Sequence, residues 1–123
     1  MDVVAAVLVG LVALVHLYFL VLEMFLWRTP RVRHVFGTTE EFAEASAVLA
    51  ANQGLYNGFL AAGLVFGLVA GGADGTVGYP VTLFFLACVI VAGLYGAATA
   101  NRRILFAQAL PGAVALALVL IAH

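Results

Sequence analysis

The chain has 123 residues, of which 66% are hydrophobic and 9% charged, and its formal net charge is −1. A soluble domain of this length leaves much of its surface exposed and could not hide so much apolar area from water. The composition therefore predicts a membrane protein whose main partner is the lipid bilayer. Five basic residues are too few for a nucleic-acid interface. The single cysteine excludes an intrachain disulfide, and no His/Cys spacing predicts a metal site.

Four hydrophobic runs are long enough to cross a bilayer, which takes about 20 residues. They predict an all-α, integral membrane four-helix bundle that forms a single domain. The predicted spans are about residues 3–27, 46–70, 79–100 and 104–122, with a soluble connection at 28–45. The first run is interpreted as a retained span, because Asp2 stands where a signal peptide has positive charge and three more spans follow.

All basic side chains fall in the first and third connections of this scheme. They are Arg28, Arg31, Arg33, Arg102 and Arg103. Basic residues collect on the cytoplasmic side of membrane proteins. The pattern therefore predicts a multi-pass protein with both termini on the outer side.

The first connection carries helix signals of its own. Pro30 and Gly37 predict breaks, and Thr38 followed by Glu41 fits a capping box. We expect a helix to start there and to continue into the second span. Its first glutamates would face the arginines in a charged collar.

Small residues recur at every fourth position of the second and third spans. They are Ser46, Ala50, Gly54, Gly58 and Ala62, then Cys88, Ala92, Gly96 and Ala100. Such stripes let helix backbones approach closely within a bundle or between subunits. Because so small a chain has few internal faces, we expect a homo-oligomer.

The polar residues of the spans are concentrated at one depth. At about 1.5 Å per residue, His16 and Asn57 lie near the bilayer midplane. Five more side chains lie about 6–12 Å nearer the cytoplasm by the same rise. These are Glu23, Asn52, Gln53, Tyr95 and Gln108. The seven residues predict a polar pocket in the cytoplasmic half that binds a lipophilic small molecule.

Each of these residues also has a structural interpretation. Glu23 either pairs with an arginine, such as Arg28, Arg102 or Arg103, or faces the amides and exchanges protons. His16 is either a satisfied internal histidine or a ligand-binding group, and one mid-membrane histidine is weak support for haem. The amides could simply join helices, and Tyr95 could direct its hydroxyl toward the interface. Pro111 predicts a kink in the fourth span.

Four segments of the chain resemble one known family. They are HLYFLVLEMFLW (16–27), NQGLYNGFLAAGL (52–64), CVIVAGLYGAAT (88–99) and ILFAQALPG (104–112). These segments are similar to those of domain-of-unknown-function family 1304, a family of small bacterial four-helix integral membrane proteins. The resemblance implies a bacterial cytoplasmic membrane protein, and it assigns no catalytic role to any residue.

Three functions fit these observations. The first is a binding site for a lipophilic ligand. A more specific version is a membrane isomerase, in which His16 or Glu23 moves a proton while Tyr95 binds an oxygen atom of the substrate. The second is a small proton-coupled exporter, although one-sided arginines disfavour the dual orientation that antiparallel pump dimers need. The third is an accessory subunit of a larger membrane complex. The sequence indicates no particular cofactor, and it does not decide whether the protein is an enzyme.

Overall fold

The structure, a computed structural model, describes residues 2–123, and helices dominate this part of the chain. The elements are α1 (Asp2–Met24), α2 (Pro30–Phe36), α3 (Glu40–Val69), α4 (Gly78–Thr99) and α5 (Leu110–Ala122). A short 3-10 turn (Gly72–Asp74) precedes α4, and a π-helical segment (Leu105–Ala109) leads into α5. The all-α prediction is confirmed.

Three described segments are long and apolar enough to cross a membrane: Val3–Met24, Gly78–Thr99 and Leu105–Ala122. Helix α3 is longer, with 30 residues, but is not among them. Its first turns carry Glu40, Glu41 and Glu44, and polar amides follow in the next turns. Because these side chains lower its hydropathy, the fourth span stays a prediction.

The first connection contains a helix that the sequence pattern did not predict. Pro30 opens α2 instead of breaking the chain, because the first helical turn needs no hydrogen bond from its N–H groups. Thr29 caps this helix, and its Oγ1 accepts a hydrogen bond from the Val32 N–H at 3.4 Å. The helix ends at Gly37, whose φ of 68° suits glycine. The predicted break at Gly37 is therefore confirmed.

Helix α3 starts one residue later than the capping-box prediction. Thr39 is the residue whose Oγ1 accepts a hydrogen bond from the Phe42 N–H, at 3.1 Å. The Thr38 hydroxyl is buried without a hydrogen-bond partner in the described structure. The choice of Thr38 was therefore wrong, because two adjacent threonines offer the same cap and only the backbone geometry selects between them. The helix does continue unbroken to Val69, as expected.

The chain forms two compact units. The first comprises the described residues up to Leu14 together with Leu60–His123, and the second is Val15–Phe59. The first unit has an apolar core drawn from α1, α3, α4 and α5. This core consists of Ala5, Val9, Val12, Ala13, Ala61, Leu64, Leu86, Val89, Ala115 and Val119.

The glycines of the small-residue stripes pack inside the units. In the second unit, a methyl group added to Gly54 or Gly58 would lie 2.7 Å from a side-chain carbon of Met24 or Leu20, respectively. In the first unit, a methyl group added to Gly96 of the second stripe would lie 3.2 Å from side-chain carbons of Ile104. The sequence left open whether these stripes join helices or subunits. Their glycines are occupied by contacts within the chain.

The segment before Pro111 departs from α-helical geometry. The Leu110 N–H donates to the Leu105 carbonyl, five residues back, and the π segment carries Gln108. Proline has no N–H for the carbonyl four residues earlier, which favours such irregularity. Gly93 of α4 lies against this segment, where an added Cβ would stand 2.6 Å from the backbone nitrogen of Ala109.

Candidate functional site

A short hydrogen bond between side chains in the second unit joins the end of α1 to α3. The Asn57 side-chain nitrogen donates a hydrogen bond to Glu23 Oε1 at 2.6 Å. Asn57 is buried, and Glu23 is half-buried. Gly54 lies one turn before Asn57, and the close approach of α1 at this glycine brings the two side chains within reach.

A cleft of about 490 Å³ opens beside this pair. Its walls come from the end of α1, from the residues that follow and from the first half of α3. They are Glu23, Met24, Phe25, Trp27, Arg28, Thr29, Ala47, Val48 and Ala51. The cleft therefore combines an apolar alanine and valine wall with a carboxyl group, a guanidinium group and an indole ring.

The rim of the cleft is fixed by its own contacts. The Trp27 indole N–H donates to the Ser46 hydroxyl at 3.1 Å, and the ring packs on Phe36 at a centroid distance of 5.0 Å. Arg28 forms an ion pair with Glu44 at 3.0 Å. Within this unit, Arg28 thus pairs with Glu44, while Glu23 bonds to an amide.

His16 lies on α1, two turns before Glu23, and is fully buried. Its ring contacts Phe19 edge-on, with the centroids 5.6 Å apart. This packing gives the imidazole a fixed place in the second unit. No group of three or more His, Cys, Asp or Glu side chains within residues 2–123 is arranged to hold a metal ion.

Within the second unit, the structure joins two residues of the predicted polar layer, Glu23 and Asn57. Asn57 bonds to Glu23, although the depth calculation placed Asn57 level with His16. Asn52 and Gln53 lie on the exposed side of α3. Tyr95 and Gln108 belong to the other unit, where Tyr95 is 72% exposed and Gln108 only 8%.

Several residues of the cleft were not predicted from the sequence. Thr29, Ala47, Val48 and Ala51 carry no distinctive chemistry, and nothing in their spacing separates them from other helix positions. Only the packing of Trp27 reveals that it lines the cleft.

The hydrogen-bonded pair of Asn57 and Glu23 can perform two kinds of chemistry. An amide donor on Oε1 fixes the orientation of the carboxyl group and leaves Oε2 for a ligand. A carboxyl group held in this way can accept a hydrogen bond from a ligand or exchange a proton with it. The apolar wall suits the hydrocarbon part of such a ligand.

This architecture defines a small all-helical protein with helices able to cross a membrane. A family model described as "Protein of unknown function (DUF1304)" matches residues 10–120. The chain therefore belongs to the DUF1304 family, as the sequence resemblance indicated.

The relatives add sequence similarity without an activity. The chain is 32% identical over 110 residues to a protein of Lactococcus lactis subsp. lactis (strain IL1403) that is titled "Uncharacterized protein YpaA". The aligned region covers 88% of this chain and 89% of that protein. No solved structure matches the chain.

Proposed function

We propose that the protein binds a lipophilic small molecule with one polar group in the cleft beside Glu23. The observation that carries this proposal is the Asn57–Glu23 hydrogen bond of 2.6 Å at the wall of the cleft. The cleft volume of about 490 Å³ falls within the range of known ligand sites. Four spans in a bacterial cytoplasmic membrane, with α3 as the second, would give such a ligand direct access from the lipid.

Each group has a definite role in this proposal. Glu23 bonds the polar group of the ligand through Oε2, and Asn57 holds the carboxyl in position. Trp27 and the alanine wall contact the hydrocarbon part. In an enzymatic form of the proposal, Glu23 takes a proton from one carbon and returns it to another, which is isomerisation without any co-reactant.

The sole tryptophan of the chain, Trp27, provides the test because it lines the cleft. We expect 11-bromoundecan-1-ol to quench its fluorescence saturably in lipid nanodiscs. The analogue 1-bromoundecane, which lacks the hydroxyl group, should bind more weakly. Glu23→Leu should weaken binding of the alcohol by about 2- to 12-fold, because the hydrogen bond to the carboxyl group is lost.

Glu41→Gln is the matched control, since Glu41 is an exposed carboxylate outside the cleft. It should bind the alcohol as the wild type does. Equal quenching by both bromo compounds in the wild type, or unchanged alcohol binding in Glu23→Leu, would contradict the proposal.

A further inference from the structure

One side of α3 carries an exposed stripe with heptad spacing. Its members follow each other at intervals of three, four, three, four and three residues. They are Phe42, Ala45, Leu49, Asn52, Tyr56 and Phe59. All six are exposed, and the four large residues are each more than half exposed: Phe42, Leu49, Tyr56 and Phe59. We refer to these six residues as the α3 stripe.

The spacing of the α3 stripe is that of a helix–helix seam. An average interval of 3.5 residues keeps side chains on one line when two helices wind around each other in a left-handed sense. The stripe extends about 26 Å along the helix at 1.5 Å per residue. It contains no charged side chain, so two such stripes do not repel each other.

Asn52 indicates what covers the stripe. A carboxamide both donates and accepts hydrogen bonds, so it is its own complement across a two-fold axis. A single amide pair within an apolar seam also favours the register in which the two amides meet. If Asn52 faced lipid instead, its amide would have no hydrogen-bond partners, which is costly in a bilayer.

We propose that the α3 stripe is the interface of a parallel homodimer in which each Asn52 bonds to its counterpart in the second copy. The glycines of α3 do not compete for this role, because their contacts lie within the chain. The stripe lies outside the Asn57–Glu23 contact, since Asn57 is buried whereas all six stripe residues are exposed. The dimer therefore does not depend on a ligand in the cleft, although it rests on the proposed membrane span of α3.

Disulfide cross-linking in native membranes tests the dimer directly. In a Cys88→Ser background, Leu49→Cys, Asn52→Cys and Tyr56→Cys should each give a disulfide-linked dimer of the full chain after mild oxidation. Val91→Cys is the matched control, because Val91 is 66% exposed on α4. It should remain monomeric.

The pattern of cross-links separates the alternatives. A parallel seam joins equal residues at all three positions. An antiparallel seam would join Leu49→Cys to Tyr56→Cys only when the two variants are mixed, and that result overturns the parallel arrangement. Absence of dimers at all three positions, or equal cross-linking at Val91→Cys, overturns the homodimer and leaves the stripe to a different protein.

Asn52→Ala tests the contribution of the amide in the otherwise native chain. We expect its dimer, followed by energy transfer between labelled copies in lipid, to dissociate about 3- to 30-fold more readily, as for other hydrogen bonds between membrane helices. Val91→Ala should dissociate as the wild type does. Unchanged dissociation of Asn52→Ala would remove asparagine from the interface, and the cysteine pattern decides the case if this variant fails to fold.

Discussion

Glu23 shows how one hydrogen bond changes the interpretation of a membrane carboxyl group. Ionisable groups at membrane depth are costly and tend to have partners. The sequence left Glu23 either with the arginines or with the amides. Within its unit, the partner is the buried Asn57. The carboxyl is therefore held by a neutral donor beside an open cleft, which is an arrangement suited to a ligand.

Substituting Asn57 should reveal the strength of this bond. Asn57→Leu leaves the Glu23 carboxyl without its donor, and we expect the free energy of unfolding to fall by about 1–3 kcal/mol. The double variant Glu23→Leu/Asn57→Leu should recover part of this loss, because two apolar groups replace the pair. Reversible unfolding in mixed micelles of SDS measures these two variants and Glu23→Leu, which completes a double-mutant cycle.

The ion pair of Arg28 with Glu44 provides a second coupling free energy, with which that of Glu23 and Asn57 can be compared. Both side chains are more than 60% exposed, at 62% and 68%. Their coupling free energy should stay below about 0.5 kcal/mol, because exposed ion pairs contribute little. A larger coupling for Arg28 and Glu44 than for Glu23 and Asn57 would refute our ranking of the two contacts.

At the scale of elements, close packing depends on where each glycine meets its neighbour. Gly93 stands against the backbone of Ala109, which cannot move aside as a flexible side chain can. Gly10 of α1 has nothing within 4 Å of an added Cβ. Substituting alanine at these two helical glycines should therefore change the free energy of unfolding by very different amounts.

We expect Gly93→Ala to lower the free energy of unfolding by about 1–3 kcal/mol, because α4 and the π segment must separate. Gly10→Ala should be neutral or stabilising by up to about 1 kcal/mol, since alanine favours the helix. Thermal unfolding in detergent compares the two variants. Equal melting temperatures would show that the contact at Ala109 does not limit packing.

Helix α2 shows why elements can be missed by sequence analysis. Proline is usually interpreted as a helix breaker, but Pro30 follows the capping residue Thr29 and so begins a helix. The capping threonine and the proline after it were both visible in the sequence. A run of only seven residues has too little periodicity to distinguish a short helix from a loop.

At the scale of the whole molecule, the number of spans depends on α3. Its length of 30 residues is sufficient to cross a bilayer, while its amides and glutamates lower its hydropathy. The proposed four spans place the arginine-bearing connections on one side. With three spans, the connections at 28–45 and around Arg102 would lie on opposite sides.

Labelling of single cysteines distinguishes these topologies. In a Cys88→Ser background, Arg31→Cys and Arg102→Cys should react with an impermeant maleimide only in inside-out vesicles. Thr76→Cys, in the turn before α4, should react only in intact spheroplasts, because the positive-inside rule directs the arginines inward. Labelling of every site from both sides would instead favour the dual orientation of an antiparallel exporter.

The sequence by itself determined the all-helical class, the break at Gly37 and the continuous helix from the first connection into the predicted second span. These features follow from composition and from contacts between near neighbours in the chain. The sequence also identified the small-residue stripes, because a small residue at every fourth position is visible without coordinates.

Only the tertiary structure decided the register of α3 against α1 in the second unit, and with it the partner of Glu23. The depth calculation aligned Asn57 with His16 by assuming that each span is centred in the bilayer. In the structure, Gly54 packs on Met24 and Gly58 on Leu20. Register depends on which side chains fit the glycine gaps, and this fit between distant residues is not encoded in hydropathy.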